Sequence, residues 1–304
     1  MITVADAHAA RTRIAPHIRT TPVFADNSTW FKCEFVQHTG SFKARGAFNR
    51  LLAATETAPL ASGVVTASGG NAGLAIAHAA KTLGVPAAVY VPETAPPVKV
   101  AKLHALGAEV HQIGTEYAVA YDAATKSAAE TGALFCHAYD QPEICAGQAT
   151  LGLELRDQLP TADTVLVSVG GGGLMAGLAV GLDHTARVVA VEPAACPTLH
   201  TALSAGAPTN VAVAGVAADS LGAPRIGDIA FDVATTHDVA SLLVDDDAIA
   251  AARKTLWTDY RVAVEHGAAC AYAALTSGAY RPAPGERVVV ILCGANTDPS
   301  DLAT

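Results

Sequence analysis

Short apolar runs alternate along this chain with longer segments in which apolar residues return at helical spacing. Val64 to Thr66, Ala87 to Val91, Ala108 to Ile113 and Ala133 to Cys136 are predicted as strands. Between them, Asn71 to Leu83, Pro97 to Leu106 and Tyr117 to Glu130 are predicted as helices. The first two of these helices run into Gly84 and Gly107, and glycine is the usual stop for a last helical turn. The alternation restarts with strands at Thr164 to Val169, Arg187 to Val191 and Val288 to Leu292. Its helices are Leu174 to Leu182, Asp246 to Tyr260 and Ala268 to Thr276. Strands with no polar alternate suit a parallel sheet covered on both faces. Two such runs predict an α/β protein of two lobes, each with an open, mostly parallel sheet flanked by helices. Ligands in such folds sit beyond the C-terminal ends of the strands, where the glycine-rich segments of this chain fall.

Composition narrows the function classes. The 304 residues carry a net charge of −9 and are 51% apolar. An acidic chain without a basic run lacks the clustered Lys and Arg that phosphate backbones need, so no nucleic-acid partner is expected. The uncharged stretch Thr164 to Leu182 is long enough to span a bilayer, but Gly170, Gly171, Gly172 and Gly173 interrupt it. Strand, loop and buried helix describe it better, and no membrane association is expected. The N-terminus lacks a basic segment followed by an apolar one, which points to a cytoplasmic protein. Its six cysteines show no metal-like spacing and are expected to be reduced. Asp245, Asp246 and Asp247 read as the cap and first turn of the following helix.

The glycine run 170–173 follows a strand and opens a helix. Free helix N-terminal amides and the positive end of the dipole suit a phosphate there. Gly171, Gly173 and Ala176 also fit the dinucleotide pattern, with Glu192 about 20 residues on, where a ribose-binding acid belongs. By itself the segment supports an NAD-dependent oxidoreductase equally well.

Thr39-Gly-Ser-Phe-Lys43-Ala-Arg45-Gly-Ala47 resembles the lysine motif of the pyridoxal-phosphate enzymes of the serine/threonine dehydratase family, the tryptophan synthase β-like fold type II. Three further segments match that family in order: Ser68-Gly69-Gly70-Asn71, the 170–173 run, and Cys293-Gly294-Ala295-Asn296. The resemblance spans roughly residues 19 to 298 and favours pyridoxal phosphate over a dinucleotide. It implies that Lys43 carries the cofactor and acts as the catalytic base. Phe42, Asn71, Gly170 to Gly173, Leu174 and Cys293 would complete the cofactor site. The Ser68, Gly69, Gly70 and Asn71 loop would receive the substrate carboxylate, and Asn71 would also contact the cofactor's 3′-oxygen. Phe42 and the segment around Gly222 would wall the ring. A neutral Cys293 thiol at the pyridine nitrogen suits elimination more than transamination. Residues 1–49 and 141–304 are assigned to a large cofactor-binding lobe, and 50–140 to a small substrate-side lobe.

The expected reaction is loss of water from L-threonine or L-serine, giving a 2-oxo acid and ammonia. The family's racemases carry a serine where Gly69 stands, so little racemisation is expected. Their divalent-metal site pairs a Glu with an acid six residues on, whereas Glu192 is followed there by Thr198. No divalent metal is therefore expected, and a monovalent ion at Glu192 stays open. The chain resembles the short catabolic form without an isoleucine-sensing domain, and a homodimer is implied. Rival readings are another elimination or replacement on a different 3-hydroxy amino acid, a catalytically silent relative, and the NAD enzyme. The small Gly69 leans toward a bulkier β-substituent.

Overall fold

The computed structural model describes residues 1–302. Helix α1 (Val4–Ile14) leads into the hairpin β1 (Val23–Asp26) and β2 (Thr29–Lys32), then α2 (Lys43–Thr55). The next alternating run is β3 (Val64–Thr66), α3 (Asn71–Leu83), β4 (Ala87–Val91), α4 (Pro97–Ala105), β5 (Glu109–Gln112), α5 (Tyr117–Thr131) and β6 (Leu134–Phe135). Helix α6 (Pro142–Gln158) returns the chain to β7 (Thr164–Ser168), α7 (Gly173–Leu182), β8 (Arg187–Pro193), α8 (Thr198–Ala205), α9 (Ala218–Leu221) and α10 (Asp228–Thr236). The chain ends on β9 (Ala240–Val244), α11 (Asp246–Tyr260), α12 (His266–Thr276) and β10 (Val288–Ile291).

The strands form two sheets, of order β1-β2-β10-β7-β8-β9 and β5-β4-β3-β6. Every pairing is parallel except the β1–β2 hairpin. The α/β, two-sheet expectation therefore holds, and each predicted strand and helix lies within a few residues of an observed one. The unbroken apolar strands are buried from end to end in β3, β7 and β10. Among the described residues, no helix is long and apolar enough to cross a membrane.

Elements that periodicity did not show are α1, the β1–β2 hairpin, α2, α6, α8, α9, α10 and β9. Helix α6 has no polar stripe because it is buried almost all round, packed on α2 and α7. Glycines allow this backbone-to-backbone contact. A Cβ on Gly181 would lie 2.1 Å from the Ala149 carbonyl, and one on Gly147 2.6 Å from Gly46 Cα. The strands β10, β7 and β3 end at Cys293, at the glycine run and at the 68–71 turn, so these segments share the C-terminal edges of the sheets.

Candidate active site

Lys43 opens α2, and a buried charge cluster fixes that helix start. Arg45 is fully buried, and both nitrogens of its fork donate to Glu34 at 2.8 Å. It also donates to Glu154 at 2.9 Å. Lys32, equally buried, donates to Glu154, Gln158 and the Thr21 carbonyl. Two cations facing two carboxylates leave the cluster neutral, as burial requires. Phe42 N–H donates to the Cys293 carbonyl, which ties the lysine segment to the end of β10.

Lys43 Nζ lies 5.1 Å from the Phe42 ring centroid and donates to the Ala138 carbonyl at 2.7 Å. Burial lowers the amine to about 8, against the opposing pull of Cys145, Cys293 and Glu265. The lysine borders a cleft of about 450 Å3, partly open to solvent, shared with Phe42, Asn71, the 170–173 run, Leu174 and Cys293. Of the residues expected to bind cofactor or substrate, Ser68, Gly69 and Gly70 lie outside that lining. They form the half-buried turn before α3, where the Gly70 N–H donates to Ser68 Oγ and Gly70 has open space beside it. Leu221 and Ser220 wall the cleft, whereas Gly222 is not on it.

The glycine run has no room for side chains. A Cβ on Gly171 would meet the Tyr139 ring at 2.4 Å, and one on Gly170 the Leu221 carbonyl at 2.7 Å. Gly172 takes a left-handed φ of +85°. The first amides of α7 have no intrahelical acceptor and no side-chain cap, and Gly173 and Leu174 line the cleft. A phosphate fits this cradle, and a buried amine of lowered basicity fits an aldehyde. Burial raises the Cys293 thiol, so that it stays neutral.

Glu192 has a different place from the one the dinucleotide reading needs. It is fully buried and accepts from the Leu199 and His200 N–H groups at 2.7 and 2.8 Å. Ser241 Oγ lies 3.1 Å from it. The carboxylate thus closes the start of α8 and is turned away from any ribose. Thr198 Oγ1 lies 3.1 Å from Glu192 and 2.6 Å from the Gly170 carbonyl, to which it donates.

Comparison with known proteins agrees with this geometry. Residues 14–294 match the family described as pyridoxal-phosphate dependent enzyme. This chain belongs to that family. Its cofactor is pyridoxal phosphate. It is 39% identical to the L-threonine ammonia-lyase of Geobacter sulfurreducens over 88% of this chain and 67% of that protein. It is 36% identical to the phenylserine dehydratase of Ralstonia pickettii over 96% of this chain and 93% of that one. The structure of maize serine racemase superimposes with a TM-score of 0.92 at 31% identity, covering 99% of this chain and 96% of that one.

Sequence reading missed Tyr139, Ser168 and Glu265 on the cleft wall, whereas Ser220 and Leu221 fall in the segment around Gly222 that was expected there. Glu265 ends an apolar run immediately before α12, and an acid there reads as a helix cap. Its side chain makes no cap bond to that helix. It turns instead to Asn71, whose Nδ2 donates to it at 2.8 Å.

Proposed function

We propose that this enzyme eliminates water from L-threonine, L-serine or a closely related 3-hydroxy amino acid, yielding a 2-oxo acid and ammonia. The observation that carries the proposal is Lys43, an amine lowered to about 8 that shares one cleft with the glycine run. Similarity to the Geobacter threonine ammonia-lyase supports the same reaction.

Pyridoxal phosphate supplies an electron sink that acidifies the Cα proton of a bound amino acid and lets a β-hydroxyl depart. The α7 N-terminal amides would hold the phosphate, and the Asn71 amide the ring oxygen. The 68–71 turn at the start of α3 receives the substrate carboxylate on its amides. Lys43 would bind the cofactor aldehyde, and its Nζ would take the Cα proton as the base. Phe42 and Leu221 wall the ring. Cys293, a thiol kept neutral by burial, would face the ring nitrogen and add no negative charge. Gly69 offers no group to return a proton to the opposite face of Cα, which favours elimination over racemisation.

A second substrate reading has its own support. Val91 takes the space beside Gly69, 3.2 Å from where a Cβ would sit, so that glycine does not make the expected room. Gly70 is open instead, and the phenylserine dehydratase relative covers nearly the whole chain, so a 3-hydroxy amino acid with a bulky β-substituent is the alternative. The test is 2-oxo acid release from L-threonine, L-serine, threo-phenylserine, threo-3-hydroxyaspartate and D-serine. Fastest release from L-threonine or L-serine is expected. Preference for phenylserine would establish the alternative, and silence across the panel from cofactor-loaded enzyme would overturn dehydration itself.

A further inference from the structure

The cleft holds one acid whose place no step above uses. Glu265 is 7% exposed, and among the described residues no cation forms an ion pair with it. It accepts from Asn71 Nδ2 and from the Asn296 backbone N–H. The Asn296 side chain completes the arrangement: its Nδ2 donates to Asn71 Oδ1 and to the Thr39 carbonyl, each at 2.7 Å. Both ends of the Asn71 amide are thereby held, which leaves a single N–H of that group unassigned. The surrounding backbone is shaped to the carboxylate. A Cβ on Gly294 would lie 2.5 Å from Glu265 Oε1, and the Glu265 N–H donates to the Gly294 carbonyl.

We propose that Glu265 is a positioning residue for the cofactor: with Asn296 it fixes the Asn71 amide so that its free N–H is presented to the cleft beside Lys43. The inference rests on the placement of pyridoxal phosphate against Lys43 and Asn71. Asn71 starts a helix of the four-stranded sheet, whereas Glu265 and Asn296 follow elements of the six-stranded sheet. The same two bonds therefore link segments that follow the two different sheets.

The charge of Glu265 then tunes that contact. Burial raises its carboxyl to about 7, with the Asn71 hydrogen bond opposing. The other groups that face it are Asp219 from α9, which raises it further, Lys43 from α2, which lowers it, and the neutral Cys293 thiol. Asp219 is exposed and forms an ion pair with Lys99 of α4.

The test is a pH titration of the visible absorbance of the resting holoenzyme, without substrate, together with the cofactor dissociation constant. The wild type is expected to show a spectral inflection near pH 7. In Glu265→Gln that inflection is lost and cofactor binding weakens about tenfold. In Asp219→Asn, a surface change, the inflection moves to lower pH. If Glu265→Gln fails to fold, the Asp219→Asn titration decides alone. An inflection unchanged in both variants overturns the proposal, as does one unchanged in Asp219→Asn when Glu265→Gln is unfolded. Lys43→Ala separates the underlying assumption, because lysine-linked absorbance surviving in that variant would sink the cofactor placement itself.

Discussion

Arg45 and Glu34 meet in a two-point ion pair with both side chains fully buried, two residues beyond Lys43. The pair lies in the same cluster as Lys32 and Glu154, where each charge has an opposite neighbour. Removing one partner strands the others in a dry interior, which costs about 3–5 kcal/mol. Arg45→Ala is therefore expected to lower Tm by roughly 5–15 °C. Calorimetry checks the stability, and cofactor occupancy of the folded fraction shows whether the start of α2 has moved.

On the proposed role of Lys43, the protonation state of its amine sets how fast cofactor-free protein captures pyridoxal phosphate. With the amine lowered to about 8, about one lysine in ten is neutral at pH 7, against about one in three thousand for an ordinary lysine. The neutral amine is the reactive form, so the rate should rise about tenfold per pH unit below 8 and level off above it. Stopped-flow absorbance of apo-enzyme mixed with cofactor measures the profile. A rise continuing to pH 10 would show an unperturbed lysine.

Gly171 has no space for a methyl group, since its Cβ would sit 2.4 Å from the Tyr139 ring. Tyr139 is held through its hydroxyl on the Arg225 carbonyl, so the loop itself must yield. Gly171→Ala is expected to weaken cofactor binding at least tenfold and to cost about 1–3 kcal/mol of stability, the usual range for overpacking. Equilibrium titration of apo-protein and thermal melting read the two effects separately.

Glu192 has its acceptor positions filled from within the chain by Leu199, His200 and Ser241. No chelatable ion is needed to balance a carboxylate closing a helix N-terminus. Treatment with EDTA is expected to leave turnover unchanged, whereas Glu192→Ala should cost about 1–3 kcal/mol by orphaning buried N–H groups. A large loss with EDTA, restored by a divalent ion, would contradict this placement.

Glu265 also shapes stability against pH. Its carboxyl is raised by burial to about 7 in the folded protein, from 4.5 when unfolded. The folded state holds the proton more tightly, so this group's contribution to stability falls as pH rises above 4.5 and is fully lost above 7. The shift corresponds to roughly 3 kcal/mol. Apo-protein carrying Glu265→Gln is expected to gain stability over wild type at pH 8 and little at pH 5, as thermal melts at the two values would show.

Much of this protein was legible in one dimension. The β/α alternation announced two parallel sheets because buried strands need continuous apolar runs, and helices stop where glycine lets the backbone reverse. The lysine segment and the glycine run stood out because their chemistry is local: a helix N-terminus makes its own phosphate cradle from consecutive residues. Helices α2 and α6 did not show, since elements buried on nearly every side carry no polar stripe to set the period. Tyr139 and Ser168 were silent too, each having an ordinary structural reading in its local context. Glu265 is the clearest case. Along the chain it is an acid before a helix, 194 residues from Asn71. Only the tertiary placement of the residue before α12 beside the start of α3 turns it from its own helix toward that amide. Glu192 was likewise ambiguous in sequence, and the start of α8 folding over it assigned it to a helix end. Chemistry between consecutive residues is determined by the sequence itself. Chemistry between segments hundreds of residues apart is decided by which surfaces the two sheets bury together.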